Sequence, residues 1–160
     1  MSLARETHSR ILEYLEIYKS RSIEQLKLIQ PNWAYGKNVD KLLDKIQDPI
    51  NNEYIIFITD ITDLILKTDF HEVNHDLLFT GDLKNDFRIA RVLYRWENKE
   101  FVDPPCIGID TLTKDKLIFV DGRHRTKLTY LLGYKQIPIA IDNFSIPRIS
   151  KILKLDSFAS

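Results

Sequence analysis

Leu117-Ile118-Phe119-Val120-Asp121-Gly122-Arg123-His124-Arg125-Thr126 is the stretch on which the fold turns. Four consecutive apolar residues read as a buried strand, Asp121-Gly122 breaks it, and Thr126 to Leu132 continues with helical spacing. A strand that passes through glycine into a basic helix start is suited to holding an anion. Free N–H groups of the first helical turn point outward, and the helix dipole adds partial positive charge there. Gly122, without a Cβ, lets an anion approach the main chain, and the guanidinium groups of Arg123 and Arg125 supply forked donors to the same anion, with His124 and Thr126 as further phosphate-binding residues of the turn.

Working outward, Gly133 stands where a helix C-cap glycine belongs, and Ile137-Pro138-Ile139-Ala140-Ile141 is a strand whose proline favours its start or a sheet edge. Upstream, Cys106 to Ile109, the polar connection Asp110 to Lys116, and Leu117 to Val120 read as two strands joined hairpin-fashion. Ser145 is placed to cap a last short helix with Pro147 in its first turn. The clearest helix is Asp86 to Asn98, with Ile89, Val92, Leu93 and Trp96 as its apolar stripe.

The N-terminal part is helical in pattern. Thr7, Ile11, Tyr14, Leu15 and Tyr18 recur at helical spacing over residues 3–19, and Ser22 with Gln25 forms a capping box for a short second helix that Pro31 would end. Asn32 to Asn38 reads as a loop, and Val39 to Gln47 as a third helix stopping before Pro49. Tyr54 to Ile58 is β-branched and aromatic, hence a strand, and Thr59 to Leu66 a short helix or turn. The expected class is therefore α/β (α+β), a small mixed sheet with flanking helices, with residues 1–50 a helical extension packed on a core domain of residues 51–160.

With 160 residues, 44% of them hydrophobic, the chain can bury a real core. Its longest apolar runs are far too short to span a bilayer, and no signal-peptide pattern opens the chain, so a soluble cytoplasmic protein is expected, with no membrane partner. A single cysteine, Cys106, excludes an intramolecular disulfide and a Cys-based zinc cluster. The net charge is zero, but residues 60–87 hold seven acidic and two basic side chains, whereas residues 88–160 hold 13 basic and 8 acidic ones. Binding long duplex DNA by charge alone calls for a more basic chain, while a local anion site in the C-terminal half fits.

His71-Glu72-Val73-Asn74-His75 matches the H-E-x-x-H zinc pattern, but the periodic segment around it is short and no third ligand stands at a recognisable spacing, so no metal site is expected. Arg88, Arg91 and Arg95 fall on one helical face, either as a solvated row or as additional phosphate contacts. Trp33 and Tyr35 are read as packing residues rather than base-stacking ones.

Pro104-Pro105-Cys106-Ile107, Val120-Asp121-Gly122-Arg123-His124-Arg125, Leu132-Gly133 and Ile137-Pro138-Ile139 together resemble the signature of the ParB/sulfiredoxin-like superfamily. The resemblance covers residues 101–141 well, the helix Asp86 to Asn98 loosely and residues 1–50 hardly at all. It implies a small α/β fold whose Asp-Gly-x-His-Arg turn binds nucleotide phosphates. ATP or CTP with Mg²⁺ would be the ligands, and nucleotide or nucleic acid the partner. Members include CTP-dependent partition proteins, ATP-dependent sulfiredoxins, free amino-acid kinases and proteins assigned nuclease activity. Sulfiredoxins carry a cysteine directly before the His-Arg pair, where this chain has Arg123, so that redox chemistry is not expected. Partition proteins carry further DNA-binding and dimerisation domains, for which the 19 residues after Ile141 are too few.

Function is argued from the site, because one fold hosts many chemistries. Asp121 either bridges to the phosphates through Mg²⁺ or takes a nucleophile's proton, or else it caps the following helix. His124 either donates to a phosphoryl oxygen or protonates a leaving group as a general acid, or else it holds the loop in shape. The leading expectation is cleavage of a phosphoester or phosphoanhydride, as nuclease or NTPase. The alternatives are a small-molecule, amino-acid-type kinase, needing an acidic base that the motif does not identify, and a non-catalytic nucleotide-gated module using residues 1–50 as a protein-binding surface.

Overall fold

The computed structural model describes residues 8–43, 54–70, 73–110, 112 and 116–158. In chain order these form α1 (His8–Lys19), α2 (Ile23–Leu26), a 3₁₀ turn Gly36–Lys41, β1 (Tyr54–Asp60), α3 (Ile61–Lys67), β2 (Thr68–Asp69), α4 (Leu83–Glu97), β3 (Cys106–Asp110), β4 (Lys116–Asp121), α5 (Arg123–Leu131), β5 (Gln136–Asp142) and α6 (Ile146–Ile149). The five strands make one mixed sheet in the order β1-β5-β3-β4-β2. β1 and β5 are antiparallel, β5 and β3 parallel, β3 and β4 antiparallel, and β4 and β2 parallel. The mixed α/β class is as expected from the alternation of strand and helix patterns.

Two apolar clusters hold these layers. One joins Tyr14, Leu15 and Tyr18 of α1 and Leu26 of α2 to Ile89, Val92, Leu93 and Trp96 of α4 and Leu128 of α5. The other lies between the sheet (Ile107, Leu117, Ile137, Ile139) and Ile61, Leu64 and Ile65 of α3 with Ile149. At about 1.5–3 kcal/mol for each large side chain buried, these clusters are the main force holding α1, α2, α4 and α5 to one another and α3 and α6 to the sheet.

Several elements differ from expectation for identifiable reasons. β4 buries only Leu117 and Phe119; Val120 is exposed, so the four-residue apolar run is a one-faced strand. β5 is an inner strand despite Pro138, because β3 reaches only Ala140 and Ile141 and leaves the start of β5 unpaired on that side. α4 begins before Asp86, since the Asp82 carboxylate accepts from the Lys84 N–H and caps the helix there. Ser145 does not cap α6 with its side chain; its hydroxyl donates to Asp142 instead. Asn32 to Tyr35 is irregular as expected, but from Gly36 the described residues show the 3₁₀ turn, kinked at Asn38, in place of the rest of that loop and a helix from Val39; residues 44–47 of the predicted helix lie outside them. The Ser22–Gln25 capping box is present in both directions. Gly133, at φ 93°, closes α5 with Gly133 N–H donating to Tyr130 O and Tyr134 N–H to Thr129 O, the paired bonds of a Schellman motif.

Candidate phosphate site at the start of α5

β4 delivers the chain through Asp121 to Gly122, which occupies the N-cap of α5 in the left-handed region (φ 99°, ψ 19°). A Cβ there would lie 2.7 Å from Pro105 Cα, so the glycine is required both by its backbone angle and by the approach of the Pro104-Pro105 loop. This corrects the expectation that Gly122 makes room for an anion; the space beside it holds Pro105. No side chain caps α5. The first intrahelical N–H to be used is that of Thr126, which donates to Gly122 O at 3.0 Å, leaving the donors of Arg123, His124 and Arg125 for an external acceptor. The Thr126 hydroxyl donates to the same carbonyl at 2.9 Å and is fully buried, so it is a helix-start residue and not a phosphate ligand.

His124 is buried, and its pKa falls to about 4, first through burial and then through the positive charges of Arg88, Lys127, Arg123 and Lys84. The positive charges of two helices therefore act on one imidazole, those of Lys84 and Arg88 on α4 and of Arg123 and Lys127 on α5. No anionic partner of Lys84, Arg88 or Arg123 is found among the described residues. Like charges gathered beside an uncapped helix start repel one another unless an anion joins them, which is the electrostatic signature of a phosphate site. A neutral imidazole can donate an N–H to a phosphoryl oxygen. The lowered pKa favours the neutral imidazole at neutral pH, and with it the role of hydrogen-bond donor over that of a general acid.

Beneath the cations lies a buried polar network. Lys127 is fully buried and its Nζ donates to Asn85 Oδ1 at 2.7 Å. Asn85 Nδ2 donates to Asp86 Oδ1 at 2.9 Å and to Leu78 O at 3.1 Å. Asp86 also accepts from Thr80 N–H and Gly81 N–H, and its Oδ2 is 2.6 Å from Lys19 Nζ. Burial lowers the Lys127 pKa to about 8, against the opposing pull of Asp86. The network ties α1, the 78–81 loop, α4 and α5 together, and so fixes the spacing of the basic residues above it. Lys84, Asn85, Asp86 and Lys127 were not read as site residues from sequence. The available signal was spacing: Lys127 follows Arg123 by four residues and Lys84 precedes Arg88 by four, one helical turn in each case.

Other anticipated contacts are assigned elsewhere. Arg125 is held by the loop and the strand end, its Nε donating to Asp103 O at 2.9 Å and its Nη2 to Asp121 Oδ2 at 3.3 Å. Asp121 is exposed and pairs with Arg125, and the N-cap position belongs to Gly122, so its helix-capping role is set aside. Arg91 is buried with its guanidinium 5.0 Å from the Phe87 ring, and Arg95 is bound to Phe101 O and Glu100. The arginine row thus divides, and of the three it is Arg88 whose charge acts on His124. Cys106 is buried with its thiol pushed up to about 11, chiefly by burial, which suits a packed side chain rather than a nucleophile. His71 and Glu72 lie outside the described residues; His75 stands in a turn beside Phe70 and Asp76. Among the described residues no group of three or more His, Cys, Asp or Glu could hold a metal ion, and no helix is long and apolar enough to cross a membrane.

No family model matches the chain, and no solved structure matches it significantly. A stretch of 74 residues, 46% of this chain, is 35% identical to an ATP-dependent L-serine kinase of Desulfurococcus mucosus. The match spans 27% of that protein, so the chain corresponds to about a quarter of the curated relative's length.

Proposed function

We propose that the protein is an ATP-dependent kinase acting on the hydroxyl of a small, amino-acid-type substrate, with a ParB/sulfiredoxin-like turn holding the phosphate chain. The observation that carries this reading is the helix start at Gly122, which no side chain caps, with the charges of Arg88, Arg123 and Lys84, none with an anionic partner among the described residues, acting on buried His124 beside it. The resemblance over 74 residues to an ATP-dependent serine kinase favours a hydroxyl acceptor over water or a nucleic acid.

In this reading the acceptor oxygen attacks the γ-phosphorus while the bond to the β–γ bridging oxygen breaks, and ADP leaves. Arg88, Arg123 and the free N–H groups of α5 stabilise charge on the phosphoryl oxygens, and neutral His124 donates to one of them. Asp121, exposed at the end of β4 and held only by the 3.3 Å contact to Arg125, takes the acceptor proton. Among the described residues no group of three or more His, Cys, Asp or Glu could hold a metal ion, so Mg²⁺ would be bound mainly by the phosphates it accompanies.

The test is incubation with Mg²⁺-ATP and L-serine, followed by ³¹P NMR. The proposal expects a phosphomonoester that depends on the amino acid and is lost in Arg123→Ala. Inorganic phosphate released equally with and without serine would instead support hydrolysis, and no turnover of ATP would remove the kinase reading.

A further inference from the structure

A cleft of about 720 Å³ opens at the far end of α5 and β5, within the size range of small-ligand sites. Its lining includes Thr129 of α5 and Pro138 of β5. The sheet register places it away from the turn. Cys106 pairs with both Asp121 and Ala140, so the turn is level with Ala140, whereas the cleft is lined by Gln136 to Pro138, about 7–13 Å back along β5 at the usual strand rise. Neither Lys84, Arg88 nor any residue from Asp121 to Arg125 lines this cleft.

Aromatic residues from three separate parts of the chain line it: Trp33 and Tyr35, Tyr134, and Phe158. One carboxylate, Asp156, is among the lining residues, and no lysine or arginine is. These walls are preorganised. Trp33 is bridged to Val102 and packs edge-on against Trp96 with ring centroids 5.2 Å apart. Tyr35 meets Phe158 edge-on at 5.0 Å, and Gly36, at φ 61°, lets Phe158 approach to 3.1 Å of where a Cβ would be. Asp156 is pinned through its backbone, which exchanges hydrogen bonds of 2.9 and 2.8 Å with Ile58, leaving its exposed carboxylate at the cleft.

Aromatic walls with one acid and no base repel phosphates and suit a weakly hydrated cation, which aromatic ring faces attract and a carboxylate neutralises. We infer that this cleft is a binding site for an organic cation, an alkylated ammonium held against Trp33, Tyr35, Tyr134 and Phe158 with Asp156 as its counter-ion. The ligand class is independent of the phosphate chemistry at α5, and this site stands if the kinase reading falls.

The test uses choline and its neutral isostere 3,3-dimethylbutan-1-ol, titrated into the full chain at constant ionic strength while tryptophan fluorescence and amide NMR shifts are followed. Saturable choline binding is expected, with shifts at Trp33, Tyr134 and Phe158, and with the neutral isostere weaker by about tenfold. Asp156→Asn should weaken choline several-fold. Phe158→Leu, which keeps an apolar side chain and removes the ring, should narrow the preference for the charged ligand while the circular dichroism spectrum stays that of the wild type. Equal affinity for the neutral isostere, unchanged choline binding in both variants, or no saturable binding would each overturn the assignment.

Discussion

Replacing Lys127 by methionine tests how the site is built. In the folded protein the fully buried ammonium has its pKa lowered from 10.5 to about 8, so its charged form is less favourable there than in the unfolded chain. The unfolded state therefore binds more protons between pH 8 and 10.5, and wild-type stability must rise with pH through that window. At 1.36 kcal/mol per pH unit the cost at pH 7 is about 3 kcal/mol, of which about 2 kcal/mol is recovered by pH 9.5. Lys127→Met removes the charge and leaves Asn85 Oδ1 without its 2.7 Å donor, costing about 1–3 kcal/mol. The variant should thus be as stable as the wild type at pH 7 or slightly more so, and should lack the wild type's gain on alkalinisation. Urea unfolding of both proteins at pH 7 and 9.5 measures this. Taking the difference between them cancels the titration of Cys106, Tyr18 and Tyr54, whose raised pKa values act in the opposite sense. Parallel pH dependences in the two proteins would show that Lys127 is not held as a buried ammonium, and the account of the network would fail.

Other outcomes follow from the same geometry. Gly122→Ala forces a Cβ to 2.7 Å from Pro105 Cα at a φ of 99°, and should cost about 2–4 kcal/mol by chemical denaturation; a loss under 1 kcal/mol would mean the turn relaxes freely. Asp86→Asn places an amide where Lys19, Thr80 N–H and Gly81 N–H donate, and should destabilise by about 1–3 kcal/mol, with the 78–81 amides losing protection in hydrogen exchange. His124, with its pKa near 4, should stay neutral down to about pH 5 in ¹H–¹⁵N NMR. Its contribution is lost as pH falls from 6.5 toward 4, where the unfolded chain takes up the proton first. An imidazole titrating near 6.5 would place the cations elsewhere.

Much of this site was legible because strand, Asp-Gly break and basic helix start are local patterns, and Gly122, Arg123 and His124 do stand together at the head of α5. The sheet order was not, since Pro138 on an inner strand is allowed only by where β3 stops, a long-range fact. The arginine row misled for a similar reason. Periodicity put Arg88, Arg91 and Arg95 on one face, but burial against Phe87 and the Phe101 carbonyl divided them. Lys127 reads as an ordinary solvated lysine until α4 brings Asn85 against it.

The central claim is that Lys84, Arg88, Arg123 and the start of α5 bind a phosphate chain. Calorimetric titration of Mg²⁺-ATP into the wild type and into Arg88→Ala/Arg123→Ala tests it most directly. Saturable binding to the wild type is expected, weakened about 100-fold or more in the double variant, from at least 1.4 kcal/mol for each charged contact. Equal affinity in the two proteins, or no binding to the wild type, would contradict it.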